Sequence, residues 1–365
     1  MKIIRIIPLL DFGGVEQRVN LTFHCYGIDS TIDFEILVLG SGGRVAEELK
    51  EKGANITILD QAVKIPNVSL IKRITHFLKK SKPDVVHTSG AEANFHGLIA
   101  AGLAGVPVRI GEEIGFPNHH SYWKYIFRFT YLWAHQVIGI SQSVVDQLVS
   151  LKEVHREKTT VVYNPVAIDN TGIKESTKPA ANGFTFIITC RLVPVKNLEG
   201  LIKVIARINS GFEKGVYLKV VGEGTERGKL KRLTRDLNIS NKIEFLGFRD
   251  DIAELLSGAD AFILPSFSEG FSISLVEAMM AGLPCIATKV GGPSEIIEDG
   301  ITGWLVDPHN LDDLEAKMKQ LIEMPFEERK VLGNKAKEEA LKRFSPEKYA
   351  ADLKELYSSL LERRK

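Results

Sequence analysis

Short apolar runs alternate with amphipathic stretches along nearly the whole chain. Residues 2–10, 34–39, 56–59, 84–88 and 106–110 have the length and composition of buried strands, while 15–26, 45–52, 70–80 and 92–103 repeat their apolar positions with a helical period. A strand at 137–140, a helix at 141–151 capped by Ser141 and a strand at 160–163 complete the first half. Strict alternation of this kind predicts a doubly wound parallel sheet. From 169 to 183 the periodicity stops in a run rich in Asn, Thr, Lys, Ser, Pro and Ala, which reads as a linker. The alternation then resumes with strands at 184–189, 216–221, 243–249, 261–265 and 285–290, a helix at 198–208, and Asp250 and Asp251 as caps of another. Helices at 312–323, 327–344 and 346–364 close the chain. The resulting organisation is a first α/β domain over 1–168, a linker over 169–183, and a second α/β domain over 184–344, with a terminal helix over 345–365.

Composition changes this picture little. A chain of 365 residues exceeds what one hydrophobic core usually supports. Lys and Arg number 47 against 46 Asp and Glu, with no marked excess in either half, which argues against nucleic acid as a partner. Cys25, Cys190 and Cys285 are odd in number and lack C-x-x-C spacing, so they read as reduced core thiols of a cytoplasmic protein rather than disulfides or a zinc site. Arg5 breaks the apolar run at the start, which reads as a first strand, and no run approaches the roughly 18 to 20 apolar residues of a membrane span.

The chemistry concentrates in AFILPSFSEGFSISLVEAMMAGLPCIATKV, residues 261–290, which reads as one βαβ unit with its helix closed by Gly282. A loop leaving a parallel strand for a helix N-terminus is where α/β sheets hold anions. Gly270, Ser272 and Ser274 let backbone N–H groups come close to a phosphate, and Glu269 and Glu277 bracket them. Ser274 and Glu277 also have the spacing of a capping box, which is the structural alternative for Glu277. Glu269 lies among Phe267, Gly270 and Phe271, where a cap has no use for it, and it suits neutral hydroxyls beside the anion. Arg191 and Lys196 occupy a second loop before a helix, so that two cations and a helix N-terminus converge on one anion. In the first half, the adjacent glycines Gly13 and Gly14 are either a ligand-approach turn or a plain tight turn. His87 and His96 read as packed structural residues. The aromatic segment Ser121 to His135, with Lys124 and Arg128 on one helical face, suits either the headgroup zone of an anionic membrane or the first domain's core.

EGFSISLVEAMMAGLPCIATKVGGPSEII, followed by GITGWLV, resembles the carboxyl-terminal signature of the retaining GT4-type glycosyltransferases, with Glu269 and Glu277 as its two glutamates and Ser272 where glycine is common. CRLVPVKN (190–197) is similar to that family's GRLxxxKN segment, FLG (245–247) to its FLG segment, and GGVEQRV (13–19) to its GGxE turn. The resemblance implies a GT-B architecture: two Rossmann-like domains facing across a cleft, with the last helix crossing back to the first. It implies transfer of a sugar from a nucleoside diphosphate sugar, UDP-sugar favoured, to a glycan or lipid-linked acceptor in surface polysaccharide synthesis. No metal or other cofactor is expected, and no D-x-D motif is present. Arg191, Lys196 and Glu269 take the catalytic roles. Gly14, Gly247, Phe248, Arg249, Gly270, Phe271, Ser272, Ile273, Ser274, Leu275 and Glu277 line the donor site, with Glu277 on the ribose. The family's usual His in the first domain is not identifiable here: Glu112, Glu113 and Ile114 fall in its neighbourhood, in a loop also holding His119 and His120. Gly13, Glu113, His119 and His120 are the acceptor-side residues. A nucleotide-sugar-binding protein without transferase activity and a GT-B epimerase are the alternatives. Sugar, base and acceptor identity turn on a few hydrogen bonds that one sequence does not weigh.

Overall fold

The structure is a computed structural model. It describes the chain except residues 12–13, 28, 30, 118–121, 169–182, 213–214 and 365, and the side chains of 14–17. In chain order the first half contains β1 (Lys2–Ile7), α1 (Gly14–Tyr26), β2 (Asp33–Val38), α2 (Arg44–Glu51), β3 (Asn55–Ile58), α3 (Val68–Ser81), β4 (Val85–Ser89), α4 (Ala91–Ala104), β5 (Val108–Glu113), α5 (Trp123–Leu132), β6 (Gln136–Gly139), α6 (Gln142–Ser150) and β7 (Thr159–Val161). The second contains β8 (Phe184–Thr189), α7 (Leu198–Gly211), β9 (Val216–Val221), α8 (Arg227–Asp236), β10 (Ile243–Gly247), α9 (Ile252–Ser257), β11 (Ala261–Leu264), α10 (Ile273–Met280), β12 (Cys285–Thr288), α11 (Pro293–Ile296), β13 (Trp304–Val306), α12 (Leu311–Glu323), α13 (Phe326–Phe344) and α14 (Pro346–Glu362).

Two compact units result, Met1–Pro165 with Ser345–Lys365, and Val166–Phe344. The first has a parallel sheet in the order β3-β2-β1-β4-β5-β6-β7, and the second one in the order β10-β9-β8-β11-β12-β13. Strands buried on both faces read as continuous apolar runs, as KIIRII and FTFIIT do. In the first unit α14 lays Tyr349, Leu353, Tyr357 and Leu360 against Ile3, Val85, Val108 and Ile110. In the second, α7 buries Leu201, Ile205 and Ile208 against Phe186, Ile188 and Leu218 of the sheet. Each order reverses once, between β1 and β4 and between β8 and β11. Loops leaving the carboxyl ends of two such neighbours diverge and open a crevice between them.

Four local expectations change. Glu112 and Glu113 lie in β5, not in the loop after it, because their carboxylates find buried partners there. Helix α8 was not anticipated: its leading RGKLKRL is mostly charged, and only Leu230 and Thr234 of it are buried. Asp251 stands at the N-cap of α9 but makes no capping bond, since its carboxylate is held by Arg249. Ser272, not Ser274, caps α10, accepting from the Leu275 N–H at 3.3 Å, which removes the capping-box account of Glu277. The linker residues 169–182 lie outside the described residues.

Candidate active site

The β8/β11 crevice brings together the loops that carry Lys196 and Glu269. After β8 the chain makes a single 3-10 turn, Pro194–Lys196, and then Asn197 adopts a left-handed conformation with φ 51°. Asn tolerates that region better than most residues, and its side chain accepts from the Gly200 N–H at 3.3 Å to start α7. Lys196 thereby projects toward β11, where its ammonium forms an ion pair with Glu269 Oε1. The Ser266 hydroxyl donates to the same oxygen at 2.8 Å. Both contacts fall on Oε1, leaving Oε2 without a partner among the described residues. Lys196 and Glu269 are 16% and 10% exposed, shielded enough for a strong interaction yet open to a ligand.

The backbone of this loop is held from below. Gly292 donates its N–H to the Glu269 carbonyl at 2.9 Å. A Cβ on Gly292 would stand 2.6 Å from Phe271 Cα and 2.8 Å from the Gly270 carbonyl oxygen, so only glycine allows this approach. Phe271 is buried edge-on against Phe344 at 5.6 Å. Beyond it, the Ser272 cap occupies the Leu275 N–H of α10, while the N–H groups of Ile273 and Ser274 remain open, as the first turn of a helix leaves them. Glu277, one turn on, has no hydrogen-bond partner among the described residues; burial alone pushes its carboxyl up to about 7. An unpaired, partly buried carboxylate is costly and suits a ligand that brings hydroxyl donors.

The remaining residues expected on the donor side lie along the same carboxyl edge. Arg191 is exposed at the end of β8, its side chain without a partner among the described residues. Gly247, with φ 71°, ends β10 and gives its carbonyl to the Gly222 N–H at 2.7 Å; Phe248 follows, 64% exposed. Arg249 points to Asp251 instead of a ligand, and this pairing raises its pKa above the ordinary guanidinium value.

The first unit's crevice has a different content. Glu112 is wholly buried and accepts from Arg5, from Arg18 at 2.9 Å and from Ser89 at 2.7 Å. Burial opposes its charge, but Arg18 and Arg5 outweigh that and hold the carboxyl well below the usual range. Arg18 continues to Asn164 Oδ1 at 2.7 Å. His87 lies within 2.6 Å of both Arg5 and the Tyr357 hydroxyl, and burial followed by the Arg5 charge lowers its pKa to about 4, so it is neutral. Glu113 is also buried, accepting from Tyr131 and from Asn94 at 3.3 Å. Its carboxylate therefore faces the interior of the first unit. Gly14 opens α1, while Gly13, His119 and His120 lie outside the described residues. Sequence reasoning gave no site role to Arg5, Arg18, Asn164 or Ser266; a lone arginine inside KIIRII was the one available sign, since a buried cation requires a buried anion.

Helix α5 divides the aromatic segment. Phe127 and Tyr131 enter the core, whereas Tyr122, Tyr125, Phe129 and Leu132, spaced three, four and three apart, are 61%, 62%, 52% and 66% exposed. No helix among the described residues is long and apolar enough to cross a membrane.

Comparison with known proteins places this geometry. The family model "Glycosyl transferases group 1" matches residues 165–339 and "Glycosyltransferase Family 4" matches 13–170. The UDP-Gal:alpha-D-GlcNAc-diphosphoundecaprenol alpha-1,3-galactosyltransferase of Escherichia coli is 28% identical over 98% of this chain and 96% of its own. The lipopolysaccharide 1,6-galactosyltransferase of Salmonella typhimurium is 25% identical over 85% and 86%. Anabaena HepE, solved in complex with UDP, superposes with a TM-score of 0.83 at 23% identity over 98% of this chain and all of that one. With the two family models together spanning residues 13–339 and both sheets matching the GT-B arrangement, this chain belongs to the GT4-type group 1 glycosyltransferases and is a transferase.

Proposed function

We propose that the protein is a retaining, metal-independent glycosyltransferase that moves a sugar from a UDP-sugar to a lipid-linked or glycan acceptor in surface polysaccharide synthesis. The observation that carries this reading is the Lys196 and Glu269 pair in the β8/β11 crevice, beside the open N–H groups of α10. As the bond from the anomeric carbon to the diphosphate breaks, its electrons pass to a phosphate oxygen, and that growing charge is met by Lys196, Arg191 and the Ile273 and Ser274 N–H groups. The free Oε2 of Glu269 accepts from hydroxyls of the donor sugar and fixes its orientation, while Glu277 accepts from the ribose hydroxyls. The acceptor oxygen bonds to the anomeric carbon from the face the diphosphate leaves, and its proton passes to the departing phosphate oxygen. This clamp supplies the needed positive charge from the chain itself. The UDP assignment is supported by the UDP-galactose donor in the name of the Escherichia coli relative and by UDP in the Anabaena structure.

The decisive experiment is thermal stabilisation by UDP, GDP, ADP and their sugars, with and without chelator, on the wild type and Lys196→Ala. A ligand that binds only the native state raises its melting temperature by mass action. UDP-sugar should stabilise the wild type with or without chelator and fail on the variant. No shift with any nucleotide sinks the reading, and a shift abolished by chelator overturns the metal-free clamp.

The acceptor side is supported by α5. At roughly 100° per residue, its four exposed apolar side chains form one stripe with Lys124 and Arg128 along a flank, and the helix has no acidic residue. Such a face suits the headgroup zone of an anionic membrane, on the cytoplasmic side, where a lipid-linked acceptor is reached. Tyr125→Ser with Phe129→Ser should abolish cosedimentation with phosphatidylglycerol vesicles; equal sedimentation of variant and wild type removes the membrane from the proposal.

A further inference from the structure

The carboxyl edge of the second sheet carries another concavity, on the side of α7, α8 and α12, with a volume of about 440 Å³. The turn bearing Lys196 stands beside it: Val193, Pro194 and Asn197 line the concavity, while Lys196 is engaged with Glu269. One wall is aromatic. Phe267, 41% exposed, and the exposed His309 stack with centroids 5.4 Å apart and planes 17° from parallel. The opposite wall is charged but balanced. Glu199 holds Lys203 at 2.8 Å and Lys229 at 2.7 Å, and Lys229 also reaches Glu226 at 3.3 Å. Leu198 and Leu230 form an apolar floor.

The pattern of occupied groups selects the ligand. An anion would have to break the Glu199 ion pairs to reach either lysine, and it would meet two carboxylates there. The helix starts nearby are already answered: Asn197 takes the Gly200 N–H, and Asn310 takes those of Asp312 and Asp313. An aliphatic ligand would leave the charged wall without hydration. A pyranose satisfies both walls, because its C–H face packs on an aromatic plane while its hydroxyls donate to carboxylate oxygens and accept from ammonium groups.

We propose that this pocket binds a neutral saccharide, packed against the aromatic wall that Phe267 and His309 form together and hydrogen-bonded to Glu199, Glu226 and Lys229. Its role rests on the glycosyl-transfer reading: Phe267 donates its N–H to the Val195 carbonyl at 2.8 Å and lies two residues before Glu269, so a sugar chain held here is gripped by the loops that carry Lys196 and Glu269. The pocket then retains acceptor or product glycan apart from the reacting centre.

The test is saturation-transfer NMR and calorimetry with maltotriose, lactose and chitotriose on protein saturated with UDP. At least one should bind, and His309→Ala should weaken it by about three- to tenfold, the size of one aromatic contact. UDP stabilisation of His309→Ala should equal that of the wild type; a loss of it would show that the change reaches the donor site and would overturn a separate saccharide site. Absence of binding by all three sugars, equal affinity in the variant, or displacement of the bound sugar by inorganic phosphate also overturns the proposal. Failure of UDP to stabilise the wild type strikes the glycosyl-transfer reading alone, since saccharide binding is then measured without it.

Discussion

At the β1/β4 crevice of the first unit, Arg5, Arg18, His87 and Glu112 are sealed from solvent and pair with one another, with the Arg5 and Arg18 Nε–H groups left without a partner among the described residues. At the β8/β11 crevice of the second, Lys196 and Glu269 are also paired, but among the described residues one carboxylate oxygen stays open and neither the Arg191 side chain nor Glu277 has a partner. The same topological position thus holds a closed network in one sheet and an incomplete one in the other. A sealed network of paired charges offers a substrate no access and contributes to structure. An incomplete network that stays open to solvent keeps costs that a ligand removes, which is what the proposed donor site requires.

The sharpest way to break this contrast is Glu112→Ala. It strands two buried guanidinium groups and should cost about 3 to 5 kcal/mol of stability in urea unfolding. If the loss is under about 1 kcal/mol, the first crevice is not the closed device described. With the wild-type carboxyl held low, its contribution to stability is present above the ordinary glutamate range and is lost as the pH falls through that depressed value.

Lys196→Ala should invert the pattern. Turnover should fall about a hundred- to a thousand-fold, as when a charge-stabilising donor is removed. Unfolding free energy should fall by less than in Glu112→Ala, by about 1 to 3 kcal/mol, because the pair keeps some access to water and Ser266 still donates to Glu269. A variant that unfolds but, when folded, turns over normally would make the two crevices alike.

The smallest effect sharpens the role of Glu277. Its carboxyl is raised to about 7 by burial, and in the proposed donor site ribose hydroxyls would bind the ionised form. UDP affinity should therefore rise by about tenfold between pH 6 and pH 8, in proportion to the ionised fraction. The stability of the free protein should move the opposite way, falling as the pH rises from the unfolded value of 4.5 to about 7. Titration calorimetry across that range checks both the sign and the size, and Glu277→Gln should flatten the profile.

Alternation of apolar and amphipathic segments made both sheets legible, because parallel strands buried on two faces leave continuous apolar runs such as FTFIIT. The Glu269 and Lys196 loops were legible too, since unusual residues at the ends of strands are cheap to notice. Partners supplied from far along the chain were not. Glu112 meets Arg5 and Arg18 across 107 and 94 residues, and no local pattern encodes that meeting. Glu113 was read as a loop residue because the strand that ends in GEE trades its apolar character for buried hydrogen bonds. Ser274 and Ser272 are equally good caps by composition; the backbone that turns at Ser272, extended with φ −124°, decided between them.

Helix α14 has a consequence for how the chain is made. The second unit is continuous in sequence, whereas the first draws Tyr349, Leu353 and Tyr357 into a sheet whose first strand is translated more than three hundred residues earlier. On the ribosome, the earliest strands wait with part of their apolar face uncovered until the last helix emerges, so the unit begun first is completed last. Aggregation during synthesis should therefore start from that waiting sheet, and a chaperone that shelters nascent chains has its natural client in the first half of this protein.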